Sequence, residues 1–132
     1  MNLPCALFVY GTLKRGQVRE GCWPCKPLAV ETAIVRGVLF DLGEYPAMVG
    51  GEDLVAGELW RFAEEDMGAT LAALDVVEGC EGKDDDEYRR VVMECETSGG
   101  IVAAWTYTYA RAECLRVEQR IKPGRDGMCR WK

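Results

Sequence analysis

The stretch ALFVYGTLKRG, Ala6 to Gly16, decides how the chain begins its fold. Its short, continuous apolar run predicts a buried strand over Ala6–Tyr10. The strand runs into a turn, Gly11–Arg15, that contains a glycine, a threonine hydroxyl and two cations. Such a turn exposes several backbone N–H groups together, and these can bind a carboxylate or a phosphate. From these residues alone, a plain turn with solvated charges is the better explanation.

The rest of the chain predicts a mixed fold. Ala63–Val77 predicts a helix, because it begins with acidic residues and stops before Gly79, a natural C-cap. Gly50–Asp53 is predicted to be a turn between two strands, and the C-terminal segment from Ile121 an irregular tail. Further strands are predicted at Thr32–Phe40, Tyr45–Val49, Leu54–Phe62, Tyr88–Glu96 and Ile101–Tyr109. About six strands and one helix indicate an α+β fold with a curled or closed sheet.

Glu78 stands out at the end of the predicted helix. It continues an apolar stripe formed by Met67, Leu71 and Leu74, which is the face that packs on a core. An inward carboxyl there would be desolvated and would lie at the negative end of the helix dipole, and both effects raise its pKa. An acid tuned toward neutrality can accept a proton and return it. On geometry alone, an outward and solvated Glu78 explains the sequence equally well.

Charge and hydropathy limit the class of protein. The net charge of −6 argues against a nucleic-acid surface, which needs clustered cations. No apolar run reaches the ~18 residues that span a bilayer, so no membrane partner is expected. The first residues carry no positive region before their apolar run, which argues against a secretory signal. The cytoplasm is therefore the expected location, and a chain of 132 residues is expected to form one domain.

The residue types that are missing limit the chemistry. The sequence has no histidine, which removes the commonest general base and most zinc sites. Seven cysteines are an odd number, so a disulfide framework is not expected. Cys22 and Cys25 have the spacing of a redox pair, yet they follow a charged stretch instead of a strand. Small residues in a loop explain this pair better than a redox role does.

Several motifs together resemble the gamma-glutamylcyclotransferase-like family, and within it the AIG2-like and gamma-glutamylamine cyclotransferases. The motifs are VYGTLKRG at 9–16, EYPAMV at 44–49, LDVVEG at 74–79 and EYRRVVME at 87–94. Two segments depart from the family pattern: the acidic loop GCEGKDDDE at 79–87 is longer, and the tail carries extra residues before its tryptophan. The resemblance covers nearly the whole chain, which is expected to be a single domain of this family over residues 1–132.

The resemblance implies a compact, barrel-like mixed sheet with one main helix and short helices around it. It also implies a cavity in which the backbone amides of one loop hold the substrate's α-carboxylate and a glutamate acts as general acid and base. Tyr88 matches a tyrosine that lines this site, and Glu78 matches the glutamate. No cofactor and no metal are implied. The loop matches Tyr10, Gly11, Thr12 and Leu13.

The implied reaction converts a gamma-glutamyl amine or a gamma-glutamyl amino acid to 5-oxoproline and a free amine. The substrate's own α-amine attacks its γ-carbonyl carbon, so no nucleophile from the protein is needed. One alternative is a non-catalytic protein that binds a small molecule on the same fold, since a fold does not guarantee an activity. The sequence leaves open the identity of the leaving amine and the oligomeric state, and the loops at 17–27 and 79–87 are the candidates for recognising that amine.

Overall fold

A computed structural model describes residues 3–131, which form one six-stranded sheet. Five of the strands close into a barrel, in the order β1-β5-β4-β2-β3, because β1 also pairs with β3. The sixth strand is an addition that pairs in parallel with β3. The strands are β1 (Ala6–Val9), β2 (Ala29–Asp41), β3 (Pro46–Arg61), β4 (Tyr88–Thr97), β5 (Gly100–Tyr109) and β6 (Met128–Cys129). The α+β, barrel-like fold expected from the sequence is confirmed.

Strand β1 is buried on both faces, which explains its uninterrupted apolar run. Ala6 and Phe8 point into the barrel, where they pack in one hydrophobic cluster with residues of the other strands. Leu7 and Val9 point outward and pack in a second cluster that includes the helix residue Leu74. Strand β1 therefore separates the barrel interior from the layer beneath the helix, and the loop after Val9 emerges between the two.

The single α-helix in the described part of the chain, α1 (Met67–Glu78), begins later than predicted. Three acidic residues before it form a 3₁₀ turn, Glu64–Asp66, instead of the first turn of the α-helix. The helix ends as predicted, because Gly79 adopts a left-handed conformation with φ 66° and its N–H caps the helix carbonyls. The described residues contain no helix that is both long and apolar enough to cross a membrane.

The prediction of a turn at Gly50–Asp53 is wrong, because β3 continues through these residues as one strand. The register against β2 changes from Gly37–Asp53 to Val38–Val49, so residues 50–52 have no partner on β2 and form a bulge. A Cβ on Gly51 would lie 2.3 Å from the Cγ2 atom of Val38, so the bulge brings the two strands into close approach. The two glycines that indicate a turn in the sequence instead bend a long strand around the barrel.

The irregular tail predicted after Ile121 is also wrong in part. Residues 128–129 form β6, and the Trp131 side chain is buried with 4% exposure. The Lys14 ammonium donates a hydrogen bond of 2.9 Å to the Trp131 carbonyl. The tail is held by a parallel strand pairing and a buried aromatic ring, and neither is visible as a local periodicity in the sequence.

Candidate active site

A cavity of about 220 Å³ lies between the loop after β1 and the C-terminal end of α1. Its walls come from segments that are far apart in the sequence and that the closure of the barrel brings together. It is lined by residues 8–13, Arg19, Tyr45, Pro46, residues 76–79, Glu87, Tyr88 and Tyr107. All of the predicted site residues, Tyr10 to Leu13, Glu78 and Tyr88, therefore line one cavity.

The loop after β1 presents backbone donors to this cavity. The N–H groups of Gly11, Thr12 and Leu13 donate no hydrogen bond to any acceptor within residues 3–131, although all three residues are buried. Buried backbone N–H groups in a folded protein are nearly always paired, so a run of three without a protein partner indicates a binding site for an acceptor. A carboxylate supplies the acceptor oxygens that such a group of donors needs.

Two tyrosine hydroxyls hold the walls of the cavity and are not free to react. The Tyr10 hydroxyl donates a 2.6 Å hydrogen bond to the carbonyl of Tyr107, and the Tyr88 hydroxyl donates one of 2.6 Å to the carbonyl of Pro46. Burial raises the pKa of both phenols far above the usual range. Tyr10 and Tyr88 therefore contribute rings and rigidity to the site.

Glu78 is half-buried in the last turn of α1 and faces the cavity. Desolvation by burial raises the pKa of its carboxyl from the ordinary 4.5 to about 7. The cation of Arg19 opposes this rise, and the carboxylate of Glu87 adds to it. A carboxyl with a pKa near neutrality can exist in both protonation states at physiological pH, as acid–base catalysis requires.

The position of Glu78 depends on Asp75, one turn earlier in the helix. The Tyr107 hydroxyl donates a 2.7 Å hydrogen bond to Asp75, and the Arg90 guanidinium forms a 3.4 Å ion pair with the same carboxylate. Arg90 also lies over the ring of Trp105, 4.9 Å from its centroid. These contacts fasten the end of α1 to β4 and β5, and so hold the last helical turn against the cavity.

Arg19 brings a positive charge to the cavity from the loop between β1 and β2. Its backbone N–H donates a 2.8 Å hydrogen bond to the carbonyl of Thr12, which ties it to the donor loop. The same loop is held by Trp23, whose indole N–H donates to the Leu13 carbonyl at 3.0 Å and whose ring stacks on Trp60 at 4.4 Å. The Arg19 guanidinium forms no ion pair within the described residues.

Tyr45 and Glu87 form a hydrogen-bonded pair that lines the cavity. The Tyr45 hydroxyl donates to the Glu87 carboxylate at 2.7 Å, and this bond is the main reason that the pKa of Tyr45 rises to about 12. Both residues are half-buried. No individual role was predicted from the sequence for Arg19, Tyr45, Glu87 or Tyr107. Tyr45 belongs to the EYPAMV motif and Glu87 ends the acidic loop, but no periodicity in the sequence connects either residue to the site.

The cysteines take no part in this cavity. All seven are free thiols within the described residues, and none of them lines the cavity. Cys22 is exposed at the end of a 3₁₀ turn, Glu20–Cys22, and Cys25 is half-buried in an irregular segment. The pair neither follows a strand nor opens a helix, which is the context that a redox motif of this spacing needs.

The sequence of the chain matches a known family and several of its members. The family model described as "Gamma-glutamyl cyclotransferase, AIG2-like" matches residues 7–130. A protein of Niallia circulans named gamma-L-glutamyl-butirosin B gamma-glutamyl cyclotransferase is 35% identical over 112 residues, covering 83% of this chain and 69% of that protein. The gamma-glutamylcyclotransferase family protein YtfP of Escherichia coli K12 is 34% identical over 105 residues, covering 80% of this chain and 82% of that protein.

The fold also matches solved structures. The crystal structure of an AIG2-like protein from Mus musculus superposes with a TM-score of 0.66 at 24% identity, and the match covers 99% of this chain and 97% of that one. At this level of identity the likeness concerns the fold, a closed barrel with one main helix.

Proposed function

This chain belongs to the AIG2-like gamma-glutamyl cyclotransferase family and is a cyclotransferase enzyme, and on that premise we propose the reaction that its cavity carries out. The enzyme converts a gamma-glutamyl amine or a gamma-glutamyl amino acid to 5-oxoproline and a free amine. Glu78 is the general acid and base, and the loop Tyr10–Leu13 binds the head of the substrate. The reaction uses no cofactor.

Substrate binding begins at the donor loop. The free N–H groups of Gly11, Thr12 and Leu13 bind the substrate's α-carboxylate, and the Thr12 hydroxyl is a further donor. Arg19, whose backbone is tied to the same loop, brings a cation to the cavity that adds a favourable field for this anion. Anchoring the carboxylate brings the α-amine into reach of the γ-carbonyl carbon, which makes ring closure an oriented intramolecular step.

Glu78 then moves one proton from the attacking amine to the leaving amine. The α-nitrogen forms a bond to the γ-carbonyl carbon, and its surplus proton passes to the Glu78 carboxylate. The bond between that carbon and the leaving nitrogen breaks as Glu78 returns the proton to the leaving nitrogen. The products are the five-membered lactam and a neutral amine, and Glu78 recovers its starting state. The observation that carries this proposal is a half-desolvated carboxyl that shares one cavity with three free N–H donors.

The direct test is an assay of 5-oxoproline release from a panel of gamma-glutamyl amines and amino acids. We expect turnover of at least one donor, together with measurable binding of 5-oxoproline in a calorimetric titration. Binding of 5-oxoproline without turnover of any donor would instead support the alternative, a small-molecule binding protein on the same fold. The cytoplasm is the proposed location, since seven free thiols suit a reducing compartment.

The pH dependence of kcat/KM tests the role of Glu78. The carboxyl must be ionised to accept a proton, so kcat/KM is expected to rise with pH through an apparent pKa of about 7. Removal of the opposing cation in Arg19→Gln raises the pKa of Glu78 further and moves this acidic limb to higher pH. The substrate's α-amine titrates alike with every variant, so the difference between variants reports on Glu78.

The control for this shift is Arg15→Gln, which removes an exposed cation from the same loop outside the cavity. It should leave the acidic limb where the wild-type enzyme has it. A limb that stays in place in Arg19→Gln, or that moves to lower pH, would contradict the assignment of this limb to Glu78.

A further inference from the structure

We propose that the cavity selects gamma-glutamyl derivatives whose leaving amine carries a second, positively charged group, and that Glu87 binds this group. The inference rests on the proposed function and names its substrate class. Glu87 is then a specificity-determining residue, distinct in role from the acid–base Glu78.

The Glu87 carboxylate lines the cavity and has unused hydrogen-bond acceptor sites. Its Oε2 atom accepts the Tyr45 hydroxyl at 2.7 Å, and it forms no ion pair with any Lys or Arg among residues 3–131. A carboxylate has about four lone-pair sites, so one phenol leaves most of its acceptors unused. A half-buried carboxylate that lines a cavity and has no ion pair with any described Lys or Arg is a suitable partner for a cationic ligand.

The other charged groups of the cavity already have a role in the proposed reaction. Arg19 is bonded through its backbone to Thr12 of the donor loop, and its cation, which also acts on Glu78, is assigned to the α-carboxylate in the proposed reaction. Glu78 exchanges its proton with the α-amine. Glu87 lies instead on the acidic loop that leads into β4 and is paired with Tyr45, which precedes β3. With Arg19 and Glu78 assigned to the head of the substrate, Glu87 is the charged residue of the cavity lining that is left for the leaving amine.

The structure holds Glu87 in place before any ligand binds. Its backbone carbonyl accepts the N–H of Ala110 at 2.7 Å. The preceding residue, Asp86, is buried, and its carboxylate accepts the N–H groups of residues 81, 82 and 83 at 2.7 to 3.1 Å. Asp86 therefore has a structural role, because its hydrogen bonds hold the backbone of the acidic loop in place. A carboxylate fixed in this way binds a cation without a further cost in ordering the loop.

The test uses three donors that differ only at the far end of the leaving amine. They are the gamma-glutamyl derivatives of 1,5-diaminopentane, hexylamine and 6-aminohexanoate, which end in an ammonium, a methyl and a carboxylate on the same spacer. The wild-type enzyme is expected to have its highest kcat/KM with the diamine derivative. In Glu87→Gln, the ratio of kcat/KM between the diamine and hexylamine donors should fall roughly fivefold, the worth of one partly exposed ion pair.

Glu87→Gln keeps an oxygen that can accept the Tyr45 hydroxyl, so the variant removes charge and little else. Use of a ratio between donors cancels any change in Glu78 ionisation, which affects every donor equally. The matched control is Asp84→Asn, which removes a carboxylate from an exposed position of the same loop and should leave the ratio as it is in the wild type.

Each other outcome overturns the inference. If the wild-type enzyme prefers the donor that ends in a carboxylate and Arg19→Gln loses this preference, then Arg19 binds the far end of the leaving amine. If Glu87→Gln lowers kcat/KM equally for all three donors, Glu87 acts on the head of the substrate. If Asp84→Asn lowers the ratio between donors as much as Glu87→Gln does, the effect comes from the net negative charge of the loop and not from a contact with Glu87. If the wild-type enzyme turns over none of these three donors and no donor of the wider panel, the result contradicts the proposed function itself.

Discussion

Glu78→Gln is expected to lower kcat/KM for 5-oxoproline release by about a thousandfold, within the range that general acid–base groups contribute. The amide has nearly the shape of the carboxyl but can neither take the proton from the α-amine nor return it to the leaving nitrogen. Binding of 5-oxoproline should persist, because the donor loop is untouched. The measurement is steady-state kinetics with the best donor of the panel, together with calorimetric binding of the product.

The free energy of unfolding of the same variant distinguishes a loss of catalysis from a loss of folding. Wild-type Glu78 has a raised pKa in the folded state, so its contribution to stability is present at acidic pH and is lost as the pH rises through about 7. Glu78→Gln lacks this loss and should be at least as stable as the wild type at pH 8. The control variant is Glu81→Gln, an exposed carboxyl just beyond the helix, which should retain full activity. Near-native turnover by Glu78→Gln would show that another group moves the proton.

Gly11→Ala is expected to lower kcat/KM by about a hundredfold, the size of effect that a displacement near 1 Å in a binding site can have. The obstacle is space, because the Cβ of an alanine would lie 2.6 Å from Cγ and 2.7 Å from Cδ of Pro46. The proline ring cannot swing aside as a flexible side chain could. Its carbonyl also accepts the Tyr88 hydroxyl, so any relief of the clash moves either the donor loop or a wall of the cavity.

The matched control for this substitution is Gly21→Ala in the same loop region, where an added Cβ meets no atom within 4 Å. Kinetics and thermal unfolding of both variants separate a local effect from a general one. We expect Gly21→Ala to behave as the wild type and Gly11→Ala to lose affinity for 5-oxoproline along with activity. If Gly11→Ala binds 5-oxoproline with wild-type affinity, the donor loop does not hold the α-carboxylate.

Features that depend on local geometry could be predicted from the sequence. The apolar run after Ala6 predicted a buried strand, which the structure confirms. The spacing of Met67, Leu71 and Leu74 predicted that Glu78 continues the apolar stripe of a helix that ends before Gly79, and it left an inward and an outward Glu78 equally open. The helical period and the conformational freedom of glycine are properties of a few neighbouring residues, so they can be read without knowledge of the rest of the chain.

Only the tertiary structure decided which groups meet around Glu78. The pairing of β1 with β3 closes the barrel, and this closure brings Arg19, Tyr45 and Glu87 from three separate segments to one cavity. The pairing of β3 with β2 makes residues 50–52 a bulge, and the buried Trp131 follows β6, which pairs with β3. Loops and termini have no periodicity of their own, and their place depends on contacts between residues far apart in the chain. The sequence alone therefore determined the first strand and the end of the helix at Gly79, while the closure of the barrel decided which charged groups line the cavity with Glu78.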